Sequence, residues 1–186
     1  MDMKGERMLP ADRATVWSLL NDPDILRQCV PGCESLVATT EHSYDVAMTA
    51  AVGPVRARFK GKLSLADIEA PVRYRLLFDG QSSQAGFARG EASVELQELA
   101  ADQTRLTYTA KSQIGGKLAQ IGGRLIDAAA AATADKFFEA FAGKLPERAV
   151  PVTDAGTAQP AAAKPPSGGF RGWLRAFLRH LFTRKT

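Results

Sequence analysis

The sequence predicts an α+β fold in which a curved antiparallel sheet wraps one long C-terminal helix. Three observations predict it. Between Tyr44 and Ala110, five apolar stretches alternate with polar residues at a period of two, the pattern of half-buried strands. From Ile114 to Leu145 (IGGKLAQIGGRLIDAAAAATADKFFEAFAGKL) the pattern becomes helical, and Lys117 to Ala142 is Pro-free and dense in Ala, Leu, Phe and Lys. A sheet with one apolar face needs a cover, and this helix is the one element long enough to provide it.

In chain order, Met3 to Leu9 reads as a first strand. Asp12 opens a helix to Leu20, with Trp17 as a core residue. Asp22 caps a second short helix with Pro23 at its first position, and Val30-Pro31-Gly32 ends it. A short strand at Ser35–Thr40 precedes the five alternating ones. Their inward sets are Tyr44, Val46, Met48 and Ala50; then Val55, Ala57, Phe59, Gly61, Leu63 and Leu65; then Tyr74, Leu76 and Phe78. Ala88, Gly90, Ala92, Val94 and Leu96 follow, then Leu106, Tyr108 and Ala110. Gly80 to Gly86 (GQSSQAG) reads as a mobile loop. Gly115-Gly116 supplies the turn into the long helix. Gly143, as a left-handed cap, and Pro146 stop it.

The long helix carries two apolar stripes at about 100° per residue. One holds Leu118, Ile121, Leu125, Ala129 and Ala132, the other Ile126, Ala130, Ala134, Phe137, Phe141 and Leu145. A straight helix on one sheet buries one stripe. Either the helix bends, with Gly122-Gly123 as the place, or one stripe meets a partner or ligand.

This order of elements is the helix-grip arrangement. Its inward rows hold many small residues, Ala57, Gly61, Ala88, Gly90, Ala92 and Ala110. Interiors are close-packed, so these mean either close helix–sheet approach or a cavity. A sheet curving around a helix leaves room, which favours a cavity. Its lining would be Met48, Ala57, Phe59, Tyr74, Leu76, Phe78, Ala92, Val94, Tyr108, Leu118, Ile121 and Leu125. With Tyr74 and Tyr108 as polar tips, such a lining suits a lipophilic small molecule.

Chemistry-bearing residues are few. His42 falls in a turn and His180 near the C-terminus. There is no G-x-S-x-G, no phosphate-binding loop and no inward carboxylate pair, so no catalytic constellation is expected. Cys29 and Cys33 make neither a disulfide framework nor a metal site, and read as structural thiols. The N-terminus lacks a secretory pattern, and no apolar run is long enough to span a bilayer. The expected compartment is the cytoplasm.

The net charge of +4 is unevenly spread. Residues 151–186 hold Lys164, Arg171, Arg175, Arg179, Arg184 and Lys185 against Asp154, which is +5 and leaves −1 for residues 1–150. The globular part has no basic excess, which argues against nucleic acid as a partner. The expected organisation is a ligand-binding domain at 1–145, a Pro/Ala/Gly linker at 146–169 and a helix at 170–186. In that helix Phe170, Trp173, Leu174, Phe177, Leu178, Leu181 and Phe182 share one face, with Arg175 and Arg179 opposite and Arg171 at the edge. A basic, aromatic, amphipathic helix too short to span reads as one lying on an anionic membrane surface. Docking on a partner protein or on the domain's own groove is the alternative.

Over about residues 1–145 the chain resembles the CoxG family of carbon monoxide dehydrogenase accessory proteins, of the START-like (SRPBCC, Bet v 1-type) superfamily. The resemblance rests on Pro31-Gly32-Cys33, and on Gly53-Pro54-Val55 leading to Phe59-Lys60-Gly61-Lys62. Above all it rests on Ile114-Gly115-Gly116-Lys117-Leu118-Ala119-Gln120-Ile121-Gly122 with Arg124-Leu125-Ile126, followed by Phe137-Phe138. It implies a non-catalytic accessory protein that brings a molybdenum-containing carbon monoxide dehydrogenase, or a related hydroxylase, to the inner face of the cytoplasmic membrane. It also implies a non-covalently held respiratory quinone, menaquinone or ubiquinone, and no metal. A general carrier of lipids and a START-like cyclase or hydrolase are the rival expectations.

Overall fold

The structure, a computed structural model, describes residues 1–146 of the 186-residue chain. The expected linker beyond Pro146 and the amphipathic segment at 170–186 lie outside the described residues. The chain runs β1 (Asp2–Leu9), α1 (Arg13–Leu20), α2 (Pro23–Cys29), β2 (Cys33–Thr40), β3 (Ser43–Val52), β4 (Val55–Glu69), β5 (Arg73–Ser82), β6 (Gly86–Ala100) and β7 (Gln103–Gly115). A 3₁₀ segment (Gly116–Ile121) and α3 (Gly123–Ala142) complete it.

The seven strands form one antiparallel sheet in the order β1-β7-β6-β5-β4-β3-β2. Consecutive strands from β2 to β7 pair as a meander, and β1 pairs with β7, Gly5 opposite Tyr108. The α1–α2 pair therefore joins the two edge strands. Both helices start on aspartate caps. Asp12 accepts the Thr15 N–H (2.9 Å) and hydroxyl (2.6 Å), and Asp22 accepts the N–H groups of Asp24 and Ile25.

The sheet bends where glycine permits it. A Cβ at Gly61 would fall 1.9 Å from the Asp79 carbonyl oxygen, and one at Gly90 would fall 2.1 Å from that of Lys111. No other residue fits so near the neighbouring strand, and glycines at such positions let a sheet coil. Two of the small inward residues thus serve curvature directly.

Three local expectations are corrected. The helix expected from Ile114 is broken: Ile114 and Gly115 finish β7, a 3₁₀ turn follows, and Gly122 (φ +97°, ψ 141°) interrupts the path before α3. The interruption resolves the doubled stripe. Leu118 turns inward ahead of the break, and Ile126, Phe141 and Leu145 turn inward after it, while Leu125 stays 49% exposed. Gly143 is right-handed (φ −69°, ψ −8°) rather than left-handed, because the chain continues in a tight turn that tucks Leu145 into the core. The stretch Gly80–Gly86 is a tight hairpin turn rather than a mobile loop. Ala85 is fully buried, and its carbonyl accepts the Leu118 N–H at 2.9 Å.

Candidate ligand-binding cavity

The inner face of the sheet carries a buried cluster at each end, and the residues of its middle belong to neither. At one end Leu9, Val16, Leu20, Leu96, Leu106 and Phe141 form a buried cluster, with Trp17, Val94, Tyr108 and Phe138 packed against it. At the other end Ala57, Phe59, Ala85 and Leu118 form a second cluster, with Met48 and Ile121 against it. Between them the register lays two rows across the sheet. One is Leu63–Phe78–Gly90–Ser112, the other Leu65–Leu76–Ala92–Ala110. Leu63, Leu65, Leu76, Phe78, Ala92 and Ala110 belong to neither cluster and are only part-buried. Apolar residues facing the covered side of a sheet are ordinarily buried. Their residual exposure makes the middle of this face the candidate place for a ligand.

The cover is unequal along its length. α3 approaches the sheet mainly along β1 and β3. Its C-terminal half is anchored by Phe138, which stacks on Tyr108 at 5.4 Å, and by the Arg7–Asp135 ion pair. Arg7 also lies over the Phe138 ring at 5.1 Å. The N-terminal end of α3 is looser. Nothing lies within 4 Å of where a Cβ would sit at Gly122 or Gly123, and Leu125 and Ile121 reach toward Gly53 in the β3–β4 turn.

The expected lining residues are thus distributed over three places. Leu76, Phe78 and Ala92 lie in the part-buried middle. Ala57, Phe59, Leu118, Met48 and Ile121 build the second cluster. Val94 and Tyr108 lean on the first, and Leu125 sits at the outer rim. The Tyr108 ring lies over Gly5, 2.4 Å from where a Cβ would be, so its hydroxyl is turned toward β1.

Tyr74 is 6% exposed and meets the edge of Trp17 at 5.5 Å. Burial first, and the neighbouring Tyr44 second, push its phenol well above the usual tyrosine range, so it is a neutral hydroxyl at any ordinary pH. Tyr44, also 6% exposed, is the residue sequence reasoning leaves out of the lining. Its signal is present, since it heads the inward set that continues with Val46 and Met48. Neither phenol has a hydrogen-bond partner within the protein among the described residues, yet neither hydroxyl is sealed off, whereas the Ser112 hydroxyl is sealed without a partner. A sealed hydroxyl without a partner costs about 1–3 kcal/mol.

Among the described residues no acid–base pair stands in this interior, where, the phenols aside, Thr104 is the buried polar side chain. His42 is exposed in the β2–β3 turn beside Glu41, and no cluster of metal-ligating side chains exists among the described residues. Cys29 and Cys33 are free, and burial holds both thiols up, hence protonated. An open groove lies on the opposite face, where Arg73, Arg75, Ser93, Glu95, Thr107 and Thr109 alternate with the inward Tyr74, Val94 and Tyr108. It holds about 670 Å³, and its arginines are paired, Arg73 with Glu69 (2.5 Å) and Arg75 with Asp67 (2.9 Å) and Glu91 (3.3 Å). It is a wet, polar groove rather than the apolar pocket.

Solved structures share this architecture. A conserved protein from Geobacillus kaustophilus is 31% identical, with a TM-score of 0.73 over 77% of this chain and 93% of its own. A START superfamily protein from Mycobacterium smegmatis is 13% identical, TM-score 0.59, over 76% and 94%. An aromatase/cyclase from a Streptomyces species is 14% identical, TM-score 0.57, over 77% and 92%. The last two show the fold alone, which is the START/Bet v 1-like helix grip. No protein of curated function matches. The family model for the G subunit of carbon monoxide dehydrogenase (CoxG) matches residues 5–146, which takes in the sheet, the broken helix and both apolar clusters, and the chain belongs to that family.

Proposed function

We propose that this protein is a non-catalytic accessory protein that holds a lipophilic molecule, a respiratory quinone, between its sheet and α3. It serves a molybdenum-containing carbon monoxide dehydrogenase or a related hydroxylase at the inner face of the cytoplasmic membrane. The observation that carries the reading is the part-buried apolar middle of the inner face, with Leu76, Phe78 and Ala92 outside both buried clusters. The family supplies the kind of partner. The lack of an acid–base pair in that interior weighs against the cyclase reading, for which the Streptomyces structure is a likeness of fold only.

No helix among the described residues is long and apolar enough to cross a membrane. The sequence pattern alone assigns membrane contact to Phe170, Arg171, Trp173, Leu174, Arg175, Phe177, Leu178, Arg179, Leu181 and Phe182. Their apolar face and cationic rim suit anionic lipid.

The deciding experiment is native mass spectrometry with lipid extraction on protein purified from its own host. A quinone mass released from the folded chain is expected. A different lipid points to general carriage, and an empty chain overturns the reading. A chain ending at Ser167 should still bind the hydroxylase and should lose binding to anionic vesicles. Retention of vesicle binding would remove the tail from its assigned role.

A further inference from the structure

Two phenols stand on the inner face with nothing to bond. Tyr44 lies on β3, level with Leu63 and Phe78, and Tyr74 lies on β5, level with Val94. The row Leu65–Leu76–Ala92 runs between these levels, in the part-buried middle. Each phenol-bearing residue is 6% exposed, and neither hydroxyl has a partner among the described residues. Phenylalanine at both positions would keep the packing, so each hydroxyl is a donor that the protein itself does not use and that is not sealed away from a ligand. A pocket selected only for hydrocarbon has no use for them. A pocket that must hold a molecule by its oxygen does, because a neutral phenol has one proton to give.

We propose that Tyr44 and Tyr74 are hydrogen-bond donors to the ligand, and that the ligand is a lipophile bearing a carbonyl-type acceptor oxygen, held oxygen-end beside Trp17. This rests on the cavity proposed above and adds what the cavity reads. Trp17 braces Tyr74 edge-on from α1, so the phenol is fixed in place. The apolar remainder of the ligand lies along Leu76, Phe78 and Ala92. An acceptor oxygen seated on these hydroxyls satisfies groups that the empty protein leaves unmet, and a pure hydrocarbon does not.

The test uses full-length protein and two probes, ubiquinone-1 and the oxygen-free isoprenoid farnesene, each by equilibrium dialysis. Tyr74→Phe should weaken ubiquinone-1 about five- to tenfold, the worth of one neutral hydrogen bond, with Tyr44→Phe at or below that. Farnesene binding should not change in either variant. The ligand-free variants should melt no lower than the wild type, since each loses an unmet hydroxyl and nothing else. Unchanged ubiquinone-1 binding in both variants overturns the proposal, and so does an equal loss for farnesene, which would mean altered packing. A melting temperature that falls in the empty variants overturns it too, because the hydroxyls would then be satisfied within the protein. Wild-type protein that takes farnesene and refuses ubiquinone-1 sinks the oxygen contact and leaves the cavity standing. Protein that takes neither sinks both.

Discussion

The two halves of one sheet face behave differently although the same strands build both. Where β6 and β7 pass under α1 and the end of α3, Leu96 and Leu106 are 1% exposed and meet Leu9, Val16 and Phe141. Further along the same strands, Ala92 and Ala110 pair with each other, belong to neither buried cluster and are only part-buried. The first region has large side chains from the helices pointing into it. The second has small residues on the sheet and an Ala-rich stretch of α3 as cover. On the proposed reading stability and binding fall to different parts of one continuous surface, and each should be open to perturbation without the other.

The largest contrast should come from truncating one side chain in each region. Phe141 is fully buried and stacks on Phe137 at 5.8 Å. Phe141→Ala should cost about 3–5 kcal/mol, because it leaves a void that rigid neighbours cannot close. Leu76→Ala removes a part-exposed side chain outside both buried clusters, so it should cost about 1 kcal/mol. Urea denaturation of both variants decides the matter. Equal costs would mean that the middle of the sheet is as tightly packed as its end.

Much of this is legible in the sequence, because alternation and caps are local signals. The inward sets of five strands, the aspartate caps and the glycine turn at Gly116 (φ +77°) can all be read from neighbours in the chain. What is not legible depends on distant contacts. The Gly122-Gly123 pair hints at a bend, but the 3₁₀ turn ahead of it has no local signal, since Lys117 to Gln120 are good helix formers. Gly61 and Gly90 read as cavity walls, and only the pairing of strands shows the backbone they must approach. Ala85 reads as part of a loose loop, and only the bond from the 3₁₀ segment shows it to be anchored. The motif glycine Gly32 (φ +73°) likewise sits where a Cβ would fall 2.1 Å from the Thr49 carbonyl oxygen, a long-range demand with no local trace.

An intermediate effect is expected from filling the middle of the face. Ala92→Trp or Ala110→Trp places a large ring there. In a close-packed core such overpacking costs about 1–3 kcal/mol or more. Here the protein should stay folded, with its urea midpoint close to wild type, while binding of a lipophilic probe disappears. Unfolding without any ligand ever detected would mean that the interior is full, and the distinction between the two halves of the face would fail.

The smallest effect concerns how the packed end is held. α1 carries Val16 and Trp17 over the sheet, and its first turn hangs on Asp12. The Thr15 hydroxyl, and next its N–H, hold the Asp12 carboxyl below its ordinary value. A carboxyl with a depressed folded-state pKa stabilises the fold at pH values above its unfolded pKa, about 3.9. That contribution is lost as pH falls through the lower, folded pKa. Asp12→Asn keeps a good capping residue and removes the charge. The stability difference between wild type and variant should then be constant from about pH 7 to pH 5, shrink below about pH 4, and vanish once both folded and unfolded carboxyls are protonated. Binding of the lipophilic probe should be the same in both proteins at pH 7, since the cap touches the packed end and not the open middle. A difference that ignores pH would show that the cap acts without its charge. A loss of binding would show that the two regions of the face are coupled after all.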